Sequence, residues 1–259
     1  MKKLKFNYNM RLTFEYPVHD HHFTIRCIPV DDERQSIFKQ NIEIYPKHIS
    51  STQIDSFGNK CIYGTAVVEH NYFSVELSGE AVIDNIRQVE VREEKAALFK
   101  YDTALTEPGE QIKNFHSKLS LSKSDNLKKA MLIMDKLYGH FGYKQGVTNI
   151  STTAESAFSQ HSGVCQDYAH IFISLCRLEK IPCRYIAGMM IGEGETHAWA
   201  EIFHEGFWIP LDPTHNRKAG DTYIKISAGR DSRDCSINQG VFTGGGAQKQ
   251  AVNVIVTEI

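Results

Sequence analysis

No apolar run in this 259-residue sequence approaches the roughly 20 residues a helix needs to cross a bilayer, so no membrane-spanning segment is expected. The opening MKKLKFNYNM has the lysines of a secretory signal but no apolar stretch behind them, and no export signal is read there. Charge of one sign is not in excess. With 29 basic and 31 acidic residues the formal net charge is −2, which argues against nucleic acid and anionic membrane surfaces as partners. Six cysteines (27, 61, 165, 176, 183 and 235) lack both a Cys-x-x-Cys pair and a regular spacing. That excludes a zinc ribbon and a disulfide scaffold, and points to reduced thiols in a cytoplasm. There are only two tryptophans, no low-complexity tract and no internal repeat.

What is present falls into two textures. Up to about residue 92 the chain reads as short strands: LTFEYPV, HFTIRCIPV, QNIEIYP, CIYGTAVVEH and YFSVELSGEAVI, with DSFGNK a turn by composition. Five or more such strands without a helical period predict an antiparallel β-sandwich. The charge-rich VREEKAALFKYDTALTEPGEQ (91–111) then leads into helical patterns, so a domain boundary is placed near residue 95, dividing the chain into 1–95 and 96–259. LKKAMLIMDKLYGHF is read as a helix that stops at Gly142, and Thr152 with Glu155 stands at capping-box spacing ahead of another. PCRYIAGMMI, HAWAEIF, FWIPLD and AVNVIVTEI return to strand texture, which gives the second part an α+β order.

Within that part, HSGVCQDYAHIFISLC raises a chemical possibility. Tyr168, Ile171, Phe172, Leu175 and Cys176 recur at spacings of three and four, as one buried helical stripe does. Gly163 breaks what precedes, so Cys165 falls in the first turn, where unpaired amides and the helix dipole favour an anion and a thiol tends to react as thiolate. The bland alternative is a small buried hydrophobe. A cysteine nucleophile also needs a base and a group to orient it. HAWAEIFHEGFWIPLD reads as a hairpin turning at His204, Glu205 and Gly206. If Phe203 pairs with Gly206, His197 lies opposite Asp212 on a polar face beside Trp199 and Trp208, and the other face buries Ala198, Ala200, Ile202, Phe207, Ile209 and Leu211. Alone, such a pair is a common surface feature. Joined to Cys165, it completes the residue types of a thiol hydrolase.

GVCQDYAHIFISLCRLEKIPCRYIAG, THAWAEIF and WIPLDPTHN together resemble the core of the transglutaminase-like superfamily, a branch of papain-like cysteine enzymes. HHFTIRCIPVDDERQ and DSFGNK resemble the β-rich N-terminal domain of its bacterial members, and AGRDSRDCSINQGVFTGGG their closing segment, with Cys235–Asn238 standing where a proline-containing stretch is expected. The resemblance implies a papain-like transglutaminase core preceded by an N-terminal antiparallel β-sandwich. It also implies Cys165 as nucleophile, His197 as general base and acid, and Asp212 as the orienting carboxylate. The chemistry would be acyl transfer from a peptide or protein amide through a thioester, with water or a second amine resolving it. The Cys165 amide is one oxyanion donor; Gln166, Tyr168 and Trp199 are candidates for a second, and Trp199 and Trp208 for the substrate groove. A cysteine peptidase or amidase is the leading expectation, a protein-crosslinking acyltransferase or a non-catalytic binding module the alternatives.

Neither cofactor nor metal is expected. HDHH (19–22) lacks carboxylate or thiol partners at clear spacing, and TGGGAQK lacks the lysine and hydroxyl of a phosphate loop, reading instead as a loop at the cleft edge. His170, Cys176 and Cys183 are read as core.

Overall fold

The computed structural model describes residues 1–84, 90, 92–121 and 124–259; Val91, which opens the charge-rich segment, lies outside them. The first strands are β1 (Lys2–Ile28), β2 (Gln35–Tyr45), β3 (Ile49–Ile54), β4 (Lys60–Ala66) and β5 (His70–Ile83). The helical stretch follows with α1 (Glu93–Ala96), a 3-10 turn (Ala97–Lys100), α2 (Glu110–Ser117), α3 (Asn126–Tyr138), β6 (Gly142–Tyr143), α4 (Ala154–Gln160), β7 (Ser162–Gly163) and α5 (Cys165–Leu178). The remainder is β8 (Cys183–Met190), β9 (Gly192–Gly194), β10 (His197–His204), β11 (Phe207–Asp212), β12 (Arg217–Lys218), β13 (Tyr223–Gly229), β14 (Asn238–Gly244) and β15 (Gln248–Glu258).

LTFEYPV and HFTIRCIPV are one strand, not two. Leu4, Phe6, Tyr8, Met10, Leu12 and Phe14 alternate inward along β1, as a half-buried strand requires. Its pairing with β5 breaks between Thr13 and Val18, and there the strand bends. Before the bend it pairs with β5 and β15; beyond it, with β4 and β14. The bend brings the two halves face to face, with Phe23 and Phe73 rings 4.8 Å apart and Phe14 and Phe242 4.7 Å apart. The expected sandwich layers are thus halves of one eight-stranded antiparallel sheet folded on itself.

The end of the chain closes this first sheet. AVNVIVTEI lies in β15 and pairs with β1 from Leu4↔Glu258 to Phe14↔Gln248, burying Val254 and Val256 in the same core. The placement of AVNVIVTEI with the second part is corrected here, because the inward alternation of β15 matches the open edge of β1, while the other strands that follow the helices keep the α+β order. The TGGGAQK loop accordingly sits against the β1 bend and not at a cleft edge: the Glu15 amide donates to the Ala247 carbonyl at 2.8 Å and the Tyr16 amide to Gly245 at 3.0 Å.

The second sheet has the order β12-β11-β10-β8-β13. Helix α5 packs on one face, where Ile171, Phe172, Leu175 and Cys176 meet Ala198, Ala200, Ile202 and Leu211. The opposite face contributes Met189, Ile224 and Ile226 to the core of the first sheet. Two helix ends differ from expectation. Helix α3 stops at Gly139 rather than Gly142, and α4 is capped by Thr153, whose hydroxyl accepts from the Ser156 amide. Thr152 cannot serve, since its hydroxyl accepts from the Asn149 amide at 2.9 Å. Glu155 instead accepts from the amides of Gly109, Gln111 and Ile112 at the start of α2, where the helix dipole favours a carboxylate. At the far end of α5, buried Arg177 donates to the Phe99, Cys183 and Arg230 carbonyls and to the Thr106 hydroxyl, tying the segment after residue 95 to α5 and the second sheet.

Three histidines of the first sheet are structural. His21 and His70 are buried with Nδ1 and Nε2 3.2 Å apart, and His22 bonds Thr65 at 2.8 Å. His170 is buried and its Nε2 accepts from the Ser232 amide. Burial holds both His21 and His170 down at about 4, so each is neutral in the fold and free to protonate when unfolded. Their contribution is complete above about pH 6.5 and is lost as pH falls from there toward 4, by about 3 kcal/mol each. Urea titrations should show stability falling across that window, and a His21→Phe variant should lose less. Equal losses in the two proteins would refute the assignment.

Candidate active site

The site begins at the start of α5. Strand β7 pairs in parallel with β6, Tyr143 opposite Gly163, and delivers the chain to Val164 at the N-cap. A side chain at Gly163 would lie 2.4 Å from a carboxylate oxygen of Asp167. Glycine leaves room for that carboxylate to accept from the Val164 amide and the Thr148 hydroxyl, both at 2.7 Å. The amides of Asp167 and Tyr168 bond the Val164 carbonyl, which leaves those of Cys165 and Gln166 without an intrahelical acceptor. Cys165 is half-buried at this helix end, whereas the other five thiols are buried.

The hairpin that supplies the other two residues has a different register from the one expected. Glu205 and Gly206 alone form the turn, with φ of +48° and +87°, and Phe203 pairs with Trp208 rather than Gly206. Positive φ at both central residues is the two-residue hairpin turn whose twist matches the strands. The register moves by two residues, an even number, so His197 and Asp212 stay on one face as diagonal neighbours. Their Nε2 and Oδ2 are 2.8 Å apart. The face expected to be polar is buried: Trp199, Glu201, Phe203 and Trp208 all lie inside, with Glu201 accepting from Arg184 at 2.7 Å. Strand β9, three residues ahead of His197, pairs with β15, so the first sheet helps set where the histidine enters.

Asp212 has no exposed side-chain surface. Its Oδ2 accepts from His197 Nε2 at 2.8 Å, His215 Nδ1 at 2.7 Å and the Tyr223 hydroxyl at 2.8 Å. Its Oδ1 accepts from the amides of Thr214 and His215. Burial opposes ionisation, but these donors outweigh it and hold the carboxyl at about 2. Burial likewise pushes His197 down, while the hydrogen bonds to Asp212 and Cys165 lift it to about 9. With Nε2 turned to the carboxylate, Nδ1 is the nitrogen left for the thiol. His197 is thus held by Asp212 on one side and interacts with Cys165 on the other.

The remaining candidates separate. Gln166 follows Cys165 and is half-buried. Tyr168 is inward, its hydroxyl donating to the Phe141 carbonyl at 2.5 Å, so it has no donor to offer an oxyanion. Trp199 stacks on His197 with ring centres 6.2 Å apart, its buried Nε1 without an acceptor among the described residues. Trp208 packs with Ala96, Phe99 and Phe203 beneath Arg184, away from the triad. Sequence reasoning missed His215 and Tyr223. The signal for His215 was the Asp-Pro-Thr-His spacing, which a turn after β11 folds back onto the carboxylate; nothing local marked Tyr223. His197, Asp212 and His215 bring three ligand-type atoms within 4.8 Å of one another, a geometry that could also admit a cation. Each imidazole already donates to Asp212 Oδ2 there, which makes the group a hydrogen-bonded network.

Residues 113–213 match the Transglutaminase-like superfamily core, and residues 4–82 the Bacterial transglutaminase-like N-terminal region. An uncharacterized protein of Mycobacterium leprae is 26% identical over 257 residues, covering 90% of this chain and 91% of its own. An uncharacterized protein of Mycobacterium tuberculosis is 30% identical over 126 residues, 42% of this chain and 40% of that protein. The fold is shared with a solved candidate cysteine protease from Cytophaga hutchinsonii: TM-score 0.82, 22% identity, and coverage of 100% of this chain and 91% of that one. No helix among the described residues is long and apolar enough to cross a membrane.

Exposure alone ranks the thiols. Brief alkylation of the native protein followed by peptide mapping should label Cys165 ahead of Cys27, Cys61, Cys176, Cys183 and Cys235. Equal labelling of Cys61 and Cys165 would contradict the geometry.

Proposed function

We propose that this chain, whose residues 113–213 match the transglutaminase-like superfamily core and residues 4–82 its bacterial N-terminal region, is a cysteine peptidase or amidase acting on peptide or side-chain amides. The observation that carries the reading is the His197 imidazole, bonded to Asp212 at 2.8 Å and interacting with Cys165 at a helix start. The Cys165 sulfur attacks the amide carbonyl carbon, and the resulting oxyanion faces the unclaimed Cys165 amide at the positive end of α5. His197 gives its Nδ1 proton to the departing amine as the C–N bond breaks, leaving a thioester on Cys165 and a neutral imidazole. That imidazole takes a proton from water, the hydroxide adds to the thioester, and the carboxylic acid leaves as the thiolate–imidazolium pair returns. Asp212 stays ionised throughout and holds His197 in the useful tautomer.

Water is the acceptor we favour over a protein amine. A crosslinking enzyme must keep water from its thioester, which calls for a closed apolar wall. Of the two tryptophans, Trp208 lies in another cluster and Trp199 is buried under His197, so this reading has no tryptophan lid over the thiol to explain. The six unpaired thiols support a reducing compartment, the cytoplasm, as its place of work.

Two measurements test this. Mass spectrometry with a panel of peptides and amides should trap an acyl group on Cys165, and excess labelled primary amine should leave hydrolysis dominant; predominant amine incorporation would favour the acyltransferase. In a mutational series, Cys165→Ala and His197→Ala should abolish turnover, whereas Asp212→Asn should leave a residue after a loss of about 10²- to 10⁴-fold. The wild-type rate should fall above about pH 9, where His197 loses the proton that the leaving amine needs. Turnover surviving in Cys165→Ala would rule out the nucleophile.

A further inference from the structure

We propose that His215 is a positioning residue of this site: its Nδ1–H pins the shared oxygen of Asp212 and moderates how strongly that carboxylate draws on His197. The proposal rests on the triad reading above. Oδ2 of Asp212 receives three donors within 2.7–2.8 Å, and only one of them, His197, also meets the nucleophile. The His197 and His215 ring centres are 5.2 Å apart, so the two imidazoles compete for one oxygen at close range. His215 is itself 38% exposed, whereas the carboxylate it contacts is fully enclosed.

An ionised carboxylate only accepts, so both imidazoles must donate. His197 therefore carries a proton on Nε2 and presents Nδ1 to the thiol; His215 carries one on Nδ1 and keeps Nε2 outward. A donor shared onto Oδ2 reduces the charge available to each of the others, so the hold of Asp212 on the His197 imidazolium is weaker with His215 present than without it. Too strong a hold would slow delivery of the Nδ1 proton to the leaving amine, and too loose a carboxylate would let the imidazole swing. The charged and titratable groups facing this pair are Cys165 from α5, His215 from the turn after β11, Arg217 from β12 and Tyr223 from β13. Arg217 reaches the carboxylate only through the Tyr223 hydroxyl, to which it donates at 2.9 Å. His215 is thus the most exposed side-chain partner of Asp212, with a second nitrogen that makes no internal contact among the described residues.

Two amide substitutions separate position from mere bulk. His215→Asn places an N–H close to the Nδ1 site, while His215→Gln places it near Nε2, away from Asp212. The readouts are kcat and KM on an amide substrate, and the pH profile of Cys165 alkylation, which needs no substrate. His215→Gln should lower kcat by about tenfold with little change in KM, the cost of a misaligned base. Its high-pH limb of alkylation should rise by roughly half a unit to one unit, the equivalent of one hydrogen bond removed from the carboxylate. His215→Asn should restore both toward wild type. Should either variant be poorly folded, the alkylation profile is read on its folded fraction isolated by size exclusion. A kcat and profile unmoved by Gln, or thermal destabilisation with an unmoved profile, would overturn the role of His215 while leaving the triad. A wild-type profile with one ordinary thiol rise and no imidazolium limb would overturn the triad and the proposal together.

Discussion

Asp212 is a carboxylate without solvent contact, and its side-chain donors come from separate pieces of the second sheet: His197 from β10, His215 from the turn after β11, and Tyr223 from β13. A buried charge left unpaired costs several kcal/mol, so the fold is stable only while these elements converge. The requirement runs outward. Tyr223 is held by Arg217, Trp199 fills the space between His197 and Tyr223, and Gly188 has no side chain because the Trp199 ring and the Ile224 carbonyl occupy the place where one would stand. One charge therefore couples sheet order to the orientation of His197. The same demand that keeps the protein folded keeps the imidazole aimed.

The placement of Cys165 depends on a smaller version of that logic. Asp167 is also buried, and it satisfies itself by accepting from Val164 and Thr148 across the glycine at 163. That closes the N-terminal turn of α5 without using the Cys165 amide. The helix then presents its positive end with the thiol beside it, and the apolar stripe from Ile171 to Cys176 anchors it on the sheet that carries His197. The first sheet takes part through β9, which pairs with β15 three residues before His197, and through Arg184 and Lys225, which join Glu201 of the second sheet to Glu33 and Asp32. The β-rich region packs on the second sheet and shares a core with it.

Alternation and helical period carried the strands and helices, because they depend on near neighbours. LTFEYPV reads as strand wherever it pairs, and Ile171, Phe172 and Leu175 define a buried stripe whatever they pack against. Cys165, His197 and Asp212 were legible as residue types in order, since a thiol at a helix start and a His–Asp pair on a hairpin are local arrangements. The parity of the hairpin survived an incorrect register, as a shift of two leaves side chains on the same face. Pairing partners were not legible. The bend in β1, the return of β15 to the first sheet, and the placement of Trp208 with Phe99 are set by contacts between segments far apart in sequence.

The sequence by itself thus determined which side chains could do thiol chemistry and which local elements hold them. Only the tertiary structure decided how they meet: that both faces of the β10–β11 hairpin are covered, that Tyr168 is bonded inward, and that His215 and Tyr223 close on Asp212. The reason is physical. A side chain's local period depends on residues within a turn or two, whereas the enclosure of a charge depends on every element that excludes water from it, and those elements come from across the chain.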